Sequence, residues 1–259
     1  MERVATVIPT YNRPKWLPGA VYSAMKKDWD DMVVIVVDDG SLELSRETTH
    51  LLEDLYDKYL THDKEFTFHT HFENQGVAAA LNTGLKIARE YGCEYFEWLS
   101  DDDRHLSHKT RLQMNYFRYG KLKKLGLVYA GYNAHFIEGP PEEGFTPSRT
   151  IRAISQYSPK REQQWNTLKK LCIINGSTAL IKMEVFDDVG DFDTDFDYAQ
   201  DYEMWIRIQR KWNTFRVPQV VCNRHEHPGT LTKYVDENKL NEDARLHEYI
   251  KDWELEPIE

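Results

Sequence analysis

The sequence predicts an α/β fold with a mostly parallel central sheet flanked by helices. Three observations carry that expectation. Short apolar runs alternate with helix-length segments through residues 1–104, the pattern of βαβ units. The run Val33-Val34-Ile35-Val36-Val37 is apolar throughout, as suits a strand covered on both faces. Three of the runs end in polar clusters, which right-handed crossovers would bring to one sheet edge.

The elements follow in order. Val4-Ala5-Thr6-Val7-Ile8 reads as the first strand and leads into Pro9-Thr10-Tyr11-Asn12-Arg13-Pro14. Residues 15–27 form an amphipathic helix, and residues 33–37 a strand that runs into Asp38-Asp39-Gly40-Ser41. A helix over 45–59 gathers Leu51, Leu52, Leu55 and Tyr59 on one side. Residues 66–68 read as a short strand. After a turn at Asn74-Gln75-Gly76, helical spacing of Val77, Leu81, Leu85 and Ala88 marks the next helix. Residues 95–99 read as a strand ending in Ser100-Asp101-Asp102-Asp103.

The second half is less regular. A helix is expected over 106–119, one or two strands over 125–137, and a strand with a glycine break over 173–181. A helix over 199–212, a strand over 217–222 and a polar helix over 236–253 complete the chain. Residues 139–144 are a surface loop by composition. Residues 145–168 yield no assignment, and the long polar stretch 139–170 reads as a flap over an acceptor. There is no internal repeat, low-complexity tract or linker. A single domain over 1–259 is expected, divided into 1–104, 105–232 and a C-terminal helix over 233–259.

Composition excludes several classes. With 259 residues, 41% of them hydrophobic, the chain can bury a core and is not disordered. The 33 Lys and Arg against 43 Asp and Glu give a net charge of -10, a poor match to nucleic acid or an anionic membrane. No apolar run approaches the roughly 20 residues of a membrane span. The three cysteines, Cys93, Cys172 and Cys222, have neither metal-ligand nor disulfide-framework spacing. A cytoplasmic, reducing setting is expected.

Chemistry gathers after three strands: Thr10-Tyr11-Asn12-Arg13, Asp38-Asp39 and Ser100-Asp101-Asp102-Asp103. Open α/β sheets bind ligands at the carboxyl ends of their strands, so an acidic, aromatic-bearing crevice is expected there. Adjacent carboxylates repel unless a cation is present, and hard oxygen ligands suit Mn²⁺ or Mg²⁺. The same run also reads as a solvated turn, with Asp103 as a helix N-cap. Asp38-Asp39-Gly40-Ser41 likewise reads as a β-turn, or as carboxylates for a base or ribose. Asp201, at a helix start, is either a favourable charge there or a general base. His225 and His227 are either exposed polar residues or partners of a cation or phosphate.

Taken together, these residues resemble glycosyltransferase family 2. Val7-Ile8-Pro9-Thr10-Tyr11-Asn12-Arg13 is similar to its opening motif, and Val36-Val37-Asp38-Asp39-Gly40-Ser41 to its VDDGS. Residues 74–84, from Asn74-Gln75-Gly76 to Asn82-Thr83-Gly84, are similar to NxGxaaArNxG. Leu99-Ser100-Asp101-Asp102-Asp103 falls at LDxDD, with Ser100 replacing the first Asp. Asn175-Gly176-Ser177 with residues 185–193 resembles an acceptor-side segment. Gln200-Asp201-Tyr202 resembles the ED motif with Gln for Glu, and residues 227–232 a late HpgsxS. All appear in family order.

The resemblance implies a GT-A fold with a Rossmann-like sheet. It implies a nucleotide-sugar-binding half over 1–104 and an acceptor-binding half over 105–232. Pro9, Thr10, Tyr11, Arg13, Asp39, Asn82, Ser100 and Asp101 would bind the nucleotide sugar, with Asp39 at the base edge. Asp102, Asp103 and His227 would hold Mn²⁺ or Mg²⁺. Gly176, Ser177 and Trp205 would lie on the acceptor side, and Asp201 would be the catalytic base. The implied activity is inverting transfer from a UDP- or dTDP-sugar to a hydroxyl of a saccharide or glycoconjugate acceptor. A nucleotidyltransferase, a hydrolase or a non-catalytic nucleotide-sugar-binding module are the rival readings; the first usually brings a basic Gly-rich phosphate loop, which is not seen here.

Overall fold

The computed structural model describes residues 2–41, 45–59, 64–137, 149–153, 160–228 and 237–258. Its first half alternates as β1 (Val4–Thr10), α1 (Leu17–Met25), β2 (Met32–Asp38), α2 (Ser45–Tyr59), β3 (Glu65–Thr70), α3 (Val77–Glu90) and β4 (Tyr95–Trp98). There follow β5 (Arg104–His105), α4 (Lys109–Tyr119), β6 (Leu125–Phe136), β7 (Arg149–Ala153) and α5 (Arg161–Leu168). A 3₁₀ turn at Gly176–Thr178 leads to β8 (Leu180–Lys182), α6 (Met183–Val189), α7 (Gln200–Lys211), β9 (Asn213–Glu226) and α8 (Glu237–Ile250). Among the described residues no helix is long and apolar enough to cross a membrane.

The strands join one sheet in the order β3-β2-β1-β4-β8-β6-β9-β5, with β7 on β6. β1 pairs in parallel with β2 and β4, and β2 with β3. Each side of these strands has its own core. Ala5, Val7, Val33, Ile35 and Val37 pack with Leu81 and Leu85 of α3. Val4, Ile8, Val34 and Val36 pack with Leu17, Val21 and Leu52 on the other side. That two-sided burial is why the strands read as unbroken apolar runs.

Beyond β4 the sheet is mixed. β8 runs antiparallel to both β4 and β6, while β6 and β9 are parallel. The βα alternation that announces parallel pairing covers only the first four strands. The expected strand over 173–181 is a correction of the same kind. Gly176–Thr178 is a 3₁₀ turn whose Ser177 and Thr178 carbonyls meet side chains of α4 and its approach, His105 at 2.8 Å and Gln113 at 2.8 Å. Only the three residues Leu180–Lys182 remain to pair as a strand. The helix α6 and the pair β7 and α5 were not resolved by the sequence pattern; the expected loop over 139–144 lies outside the described residues, as do parts of 139–170 and of 227–232.

Gly84 has a packing reason. A Cβ there would lie 2.3 Å from Val7 Cγ1, because α3 rests directly on β1. Gly84→Ala is therefore expected to destabilise by about 1–3 kcal/mol, read as a lower urea midpoint with an unchanged slope; an unaltered midpoint contradicts the close approach.

On the opposite face of β1 and β4 lies a charged group with no contact to water. Glu97 is buried between Lys27, at the end of α1, and Lys109 on α4. Lys109 Nζ donates to Glu97 Oε2 at 2.7 Å and to the Ala179 carbonyl at 3.0 Å. Thr6 donates to Glu97 Oε1 at 2.6 Å, and Lys27 donates to Thr6 Oγ1 at 2.7 Å. Burial pushes both ammonium groups below their ordinary range, Lys109 to about 7, and at Lys27 the charges of Lys109 and Lys64 add to the effect.

The three cysteines are thiols. Burial pushes Cys93 up to about 11 and Cys222 well above its ordinary value. Cys172 is only half-buried. At about pH 8, where only thiolates react, a disulfide reagent is expected to label Cys172 first, with the other two following only in denaturant. Equal rates at all three sites would contradict this burial pattern.

Candidate active site

The register of the sheet assembles the site. Val7 of β1 lies opposite Trp98 of β4, so three residues further on Thr10 meets Asp101. Thr10 Oγ1 donates to Asp101 Oδ2 at 2.7 Å. Arg13 reaches back over the same edge, its Nη1 donating to Asp101 Oδ1 at 3.2 Å and to Asp102 Oδ2 at 2.6 Å. The intervening turn needs Asn12 at φ 53°, a left-handed conformation that Asn tolerates better than most residues. Ser41 holds it: the Asn12 amide donates to Ser41 Oγ at 2.9 Å, and that hydroxyl donates to Asp38.

The three consecutive aspartates differ. Burial pushes Asp101 up to about 6. Burial and the neighbouring Asp102 charge push Asp103 up to about 7. At Asp102 burial works in the same direction, but the hydrogen bond from His227 and the Arg13 charge hold it below the ordinary carboxylate range. Asp102 thus keeps its charge to lower pH than either neighbour. His227 Nε2 lies 3.1 Å from its Oδ2. The His227 ring is stacked on Trp16, with centroids 4.3 Å apart.

Asp103 is arranged differently from the metal-ligand role expected of it. Its Oδ2 accepts from Ser177 Oγ at 2.7 Å, and its Oδ1 from the His225 amide at 3.1 Å. Both oxygens tie the 3₁₀ turn to β9. Ser177 Oγ also accepts from the Ser100 amide at 3.2 Å. Gly176 gives Trp98 room, since a Cβ there would lie 2.5 Å from the indole.

Asp39 has a similar inward commitment. His71 Nδ1 lies 2.7 Å from Oδ1, which also accepts from the Gln75 amide at 3.0 Å. Oδ2 accepts from Asn74 Nδ2 at 2.9 Å and the Gly76 amide at 2.8 Å. A base-edge contact would therefore compete with the four groups that shape the turn before α3. His71 Nε2 in turn lies 2.8 Å from Thr83 Oγ1.

Asn82 also serves a joint. Its amide exchanges hydrogen bonds with the backbone of Phe192, at 2.8 and 2.9 Å, tying α3 to the segment before α7. Trp205, expected on the acceptor side, is buried in the core with 1% exposure, and its indole donates to the Ile174 carbonyl at 3.2 Å. An acceptor cannot touch it in this structure. Tyr11 stands at the rim with 38% exposure, and Pro9 is half-buried beside Thr10.

Asp201 lies in the first turn of α7, half-buried, with Oδ1 accepting from the Tyr202 amide at 2.7 Å. The chain leading to it abuts the Asp39-held turn: Asp197 Oδ1 is 3.5 Å from where a Gly76 Cβ would stand. The structure thus brings Thr10, Arg13, Asp101, Asp102 and His227 into direct contact. It sets the approach to Asp201 beside the neighbouring turn.

The donor set fits a cation only in part. A carboxylate and an imidazole adjoin at Asp102 and His227, a combination suited to Mn²⁺ or similar ions. Among the described residues no group of three or more His, Cys, Asp or Glu side chains is disposed to hold a metal. The remaining ligands would have to come from a bound oxyanion and water.

The glycosyl transferase family 2 model matches residues 6–190, which spans β1 to the end of α6. The chain belongs to glycosyl transferase family 2. This glycosyltransferase is 29% identical to an uncharacterized glycosyltransferase, RT0329, of Rickettsia typhi, over 96% of this chain and 70% of that one. It is 24% identical to WfaP of Escherichia coli, over 97% of this chain and 86% of that one. WfaP is named a UDP-Glc:alpha-D-GlcNAc-diphosphoundecaprenol beta-1,3-glucosyltransferase. In fold it matches S. aureus TarS 1-349 in complex with UDP-GlcNAc, with a TM-score of 0.68 and 16% identity, over 98% of this chain and 68% of that one. It also matches the mannosyltransferase PcManGT of Pyrobaculum calidifontis in complex with GDP-Man and Mn²⁺. There the TM-score is 0.65 and the identity 19%, over 98% of this chain and 66% of that one. The fold is the GT-A type of these transferases.

Two contributors had no sequence signal. Trp16 lies between Pro14 and Pro18 with nothing to link it to His227, and His71 sits in an unremarkable strand end. Glu97 had a signal: a lone charge inside the apolar run Tyr95-Phe96-Glu97-Trp98.

Proposed function

We propose that this glycosyltransferase transfers a sugar, with inversion, from a UDP- or dTDP-sugar to a hydroxyl of a saccharide or glycoconjugate acceptor. The contact of ionised Asp102 with Arg13 and His227, at the carboxyl edge of the parallel strands, carries the reading. The UDP-GlcNAc and the GDP-Man with Mn²⁺ held by the two structural neighbours support it, as does the nucleotide-sugar substrate in the name of WfaP. In this reading residues 1–104 bind the donor, residues 105–232 the acceptor, and one domain carries both. Three reduced thiols suit a cytoplasmic setting.

Asp102 and His227 would hold Mn²⁺ or Mg²⁺, which supplies positive charge to the departing diphosphate. Tyr11 offers an exposed ring to the base. Thr10 and Arg13 fix the Asp101 carboxylate, and Arg13 keeps Asp102 ionised. Asp103 and Ser177 support this edge from behind. Asp201 takes the proton of the acceptor hydroxyl as its oxygen bonds the anomeric carbon. The bond from that carbon to the diphosphate oxygen breaks on the opposite face. A single displacement of this kind inverts the anomeric centre.

The test is a panel of UDP-, dTDP- and GDP-sugars with Mn²⁺, screened for thermal stabilisation and then for nucleoside diphosphate release with saccharide acceptors. A cognate donor stabilises by mass action, and NMR of the product should show the inverted anomer. A retained anomer would refute the single displacement.

A further inference from the structure

The start of α7 is held by a side chain from outside it. Its N-cap residue is Ala199, which has no side chain able to accept a hydrogen bond. Three successive amides ahead of the helix instead converge on Glu242 of α8. The Asp197 amide donates to Glu242 Oε1 at 3.0 Å. The amides of Tyr198 and Ala199 donate to Oε2 at 2.8 and 3.0 Å. One carboxylate thereby satisfies three successive backbone donors of the segment that leads into the helix, and does so with charge-assisted bonds.

The same helix grips the segment at further points. Arg245 donates to the Asp195 carbonyl, and its guanidinium lies 4.3 Å from the Phe196 ring. His247 Nε2 lies 3.3 Å from the Tyr202 hydroxyl. Leu246 and Ile250 of the same helix are buried in the main core, which anchors α8 to the body of the protein. Residues 242, 245 and 246 have the spacing of one helix face. Asp201 lies two residues beyond the last amide that Glu242 holds.

We propose that α8 fixes the position of Asp201, with Glu242 as the positioning residue. This rests on the reading of Asp201 as the base. A base must lie within hydrogen-bond reach of the proton it takes, and a misplacement of about 1 Å can cost roughly a hundredfold in rate. In this proposal Glu242 acts through the helix and not on the reacting atoms. It sets where α7 begins, and so where the carboxylate of its first turn stands.

The experiment uses the full chain, with Glu242→Ala, Glu242→Gln, Asp201→Asn and the double variant Asp201→Asn/Glu242→Ala. Hydrogen exchange followed by mass spectrometry should show the 195–205 peptides of Glu242→Ala exchanging at least about tenfold faster, with β1, β2 and β4 unchanged. UDP release from UDP-glucose or UDP-GlcNAc with Mn²⁺ should fall about ten- to a hundredfold in kcat, with KM within about twofold. The double variant should be no slower than Asp201→Asn alone. If Glu242→Ala does not fold, Glu242→Gln, which keeps one acceptor oxygen, should show the same changes at smaller size. Unchanged exchange at 195–205 overturns the proposal. So does a normal kcat in Glu242→Ala alongside an inactive Asp201→Asn, or a double variant whose losses simply add. Ordinary turnover in Asp201→Asn sinks the base reading and with it the kinetic part, while the exchange still decides whether α8 holds the segment.

Discussion

Asp201→Asn should lower transfer by a factor of about 10²–10⁴, the usual contribution of a positioned general base. The substitution keeps the size and shape of the side chain, and its amide oxygen can still accept from the Tyr202 N–H that now bonds Oδ1 at 2.7 Å. The fold and the start of α7 should therefore persist. The bonds that Thr10 and Arg13 make to Asp101 and Asp102 do not run through Asp201, so the affinity for UDP with Mn²⁺ should stay within about twofold. Calorimetry of UDP binding and a timed assay of UDP release read the two quantities separately. Loss of UDP affinity together with turnover would move Asp201 from base to donor binding.

Glu97→Ala should be the most damaging single change to stability, at about 3–5 kcal/mol. That is a large part of the about 5–15 kcal/mol that holds a domain together. The carboxylate is the shared partner of Lys27, Lys109, Thr6 and Thr110, all of them buried. Its removal leaves two ammonium groups in the core with no counter-charge. The damage should spread, because Lys109 also holds the Ala179 carbonyl, two residues from the serine that supports Asp103. Urea unfolding measures the loss, and a midpoint close to that of the unaltered protein would show that the lysines shed their charge at little cost. Lys27, which burial holds well below its ordinary range, and Lys109, which burial brings to about 7, are the groups that would do so.

The motif residues divide by what their side chains do. The strand ends, the glycine at 84 and the aspartates were legible because each is tied to local backbone geometry or to a short spacing. Gly84 is required by Val7, and Ser41 by the left-handed Asn12, and both stand in the quoted motifs. Asp39, Asn82 and Asp103 were legible as important but not as to purpose. Their partners, His71, Phe192 and His225, lie from 32 to 122 positions away. The resemblance likewise implied Trp205 on the acceptor side, where the structure buries it in the core.

From the sequence alone came the α/β class, the parallel first four strands, the acidic edge and the order of the motifs, since all of these follow from local periodicity and from polar residues at strand ends. Tertiary structure alone decided which of three adjacent aspartates keeps its charge to the lowest pH, that β8 enters antiparallel, that Trp16 backs His227, and that a glutamate of the last helix holds the approach to the one bearing Asp201. Those outcomes depend on burial and on partners distant along the chain, and a carboxylate's ionisation and direction are set by the groups that fold against it.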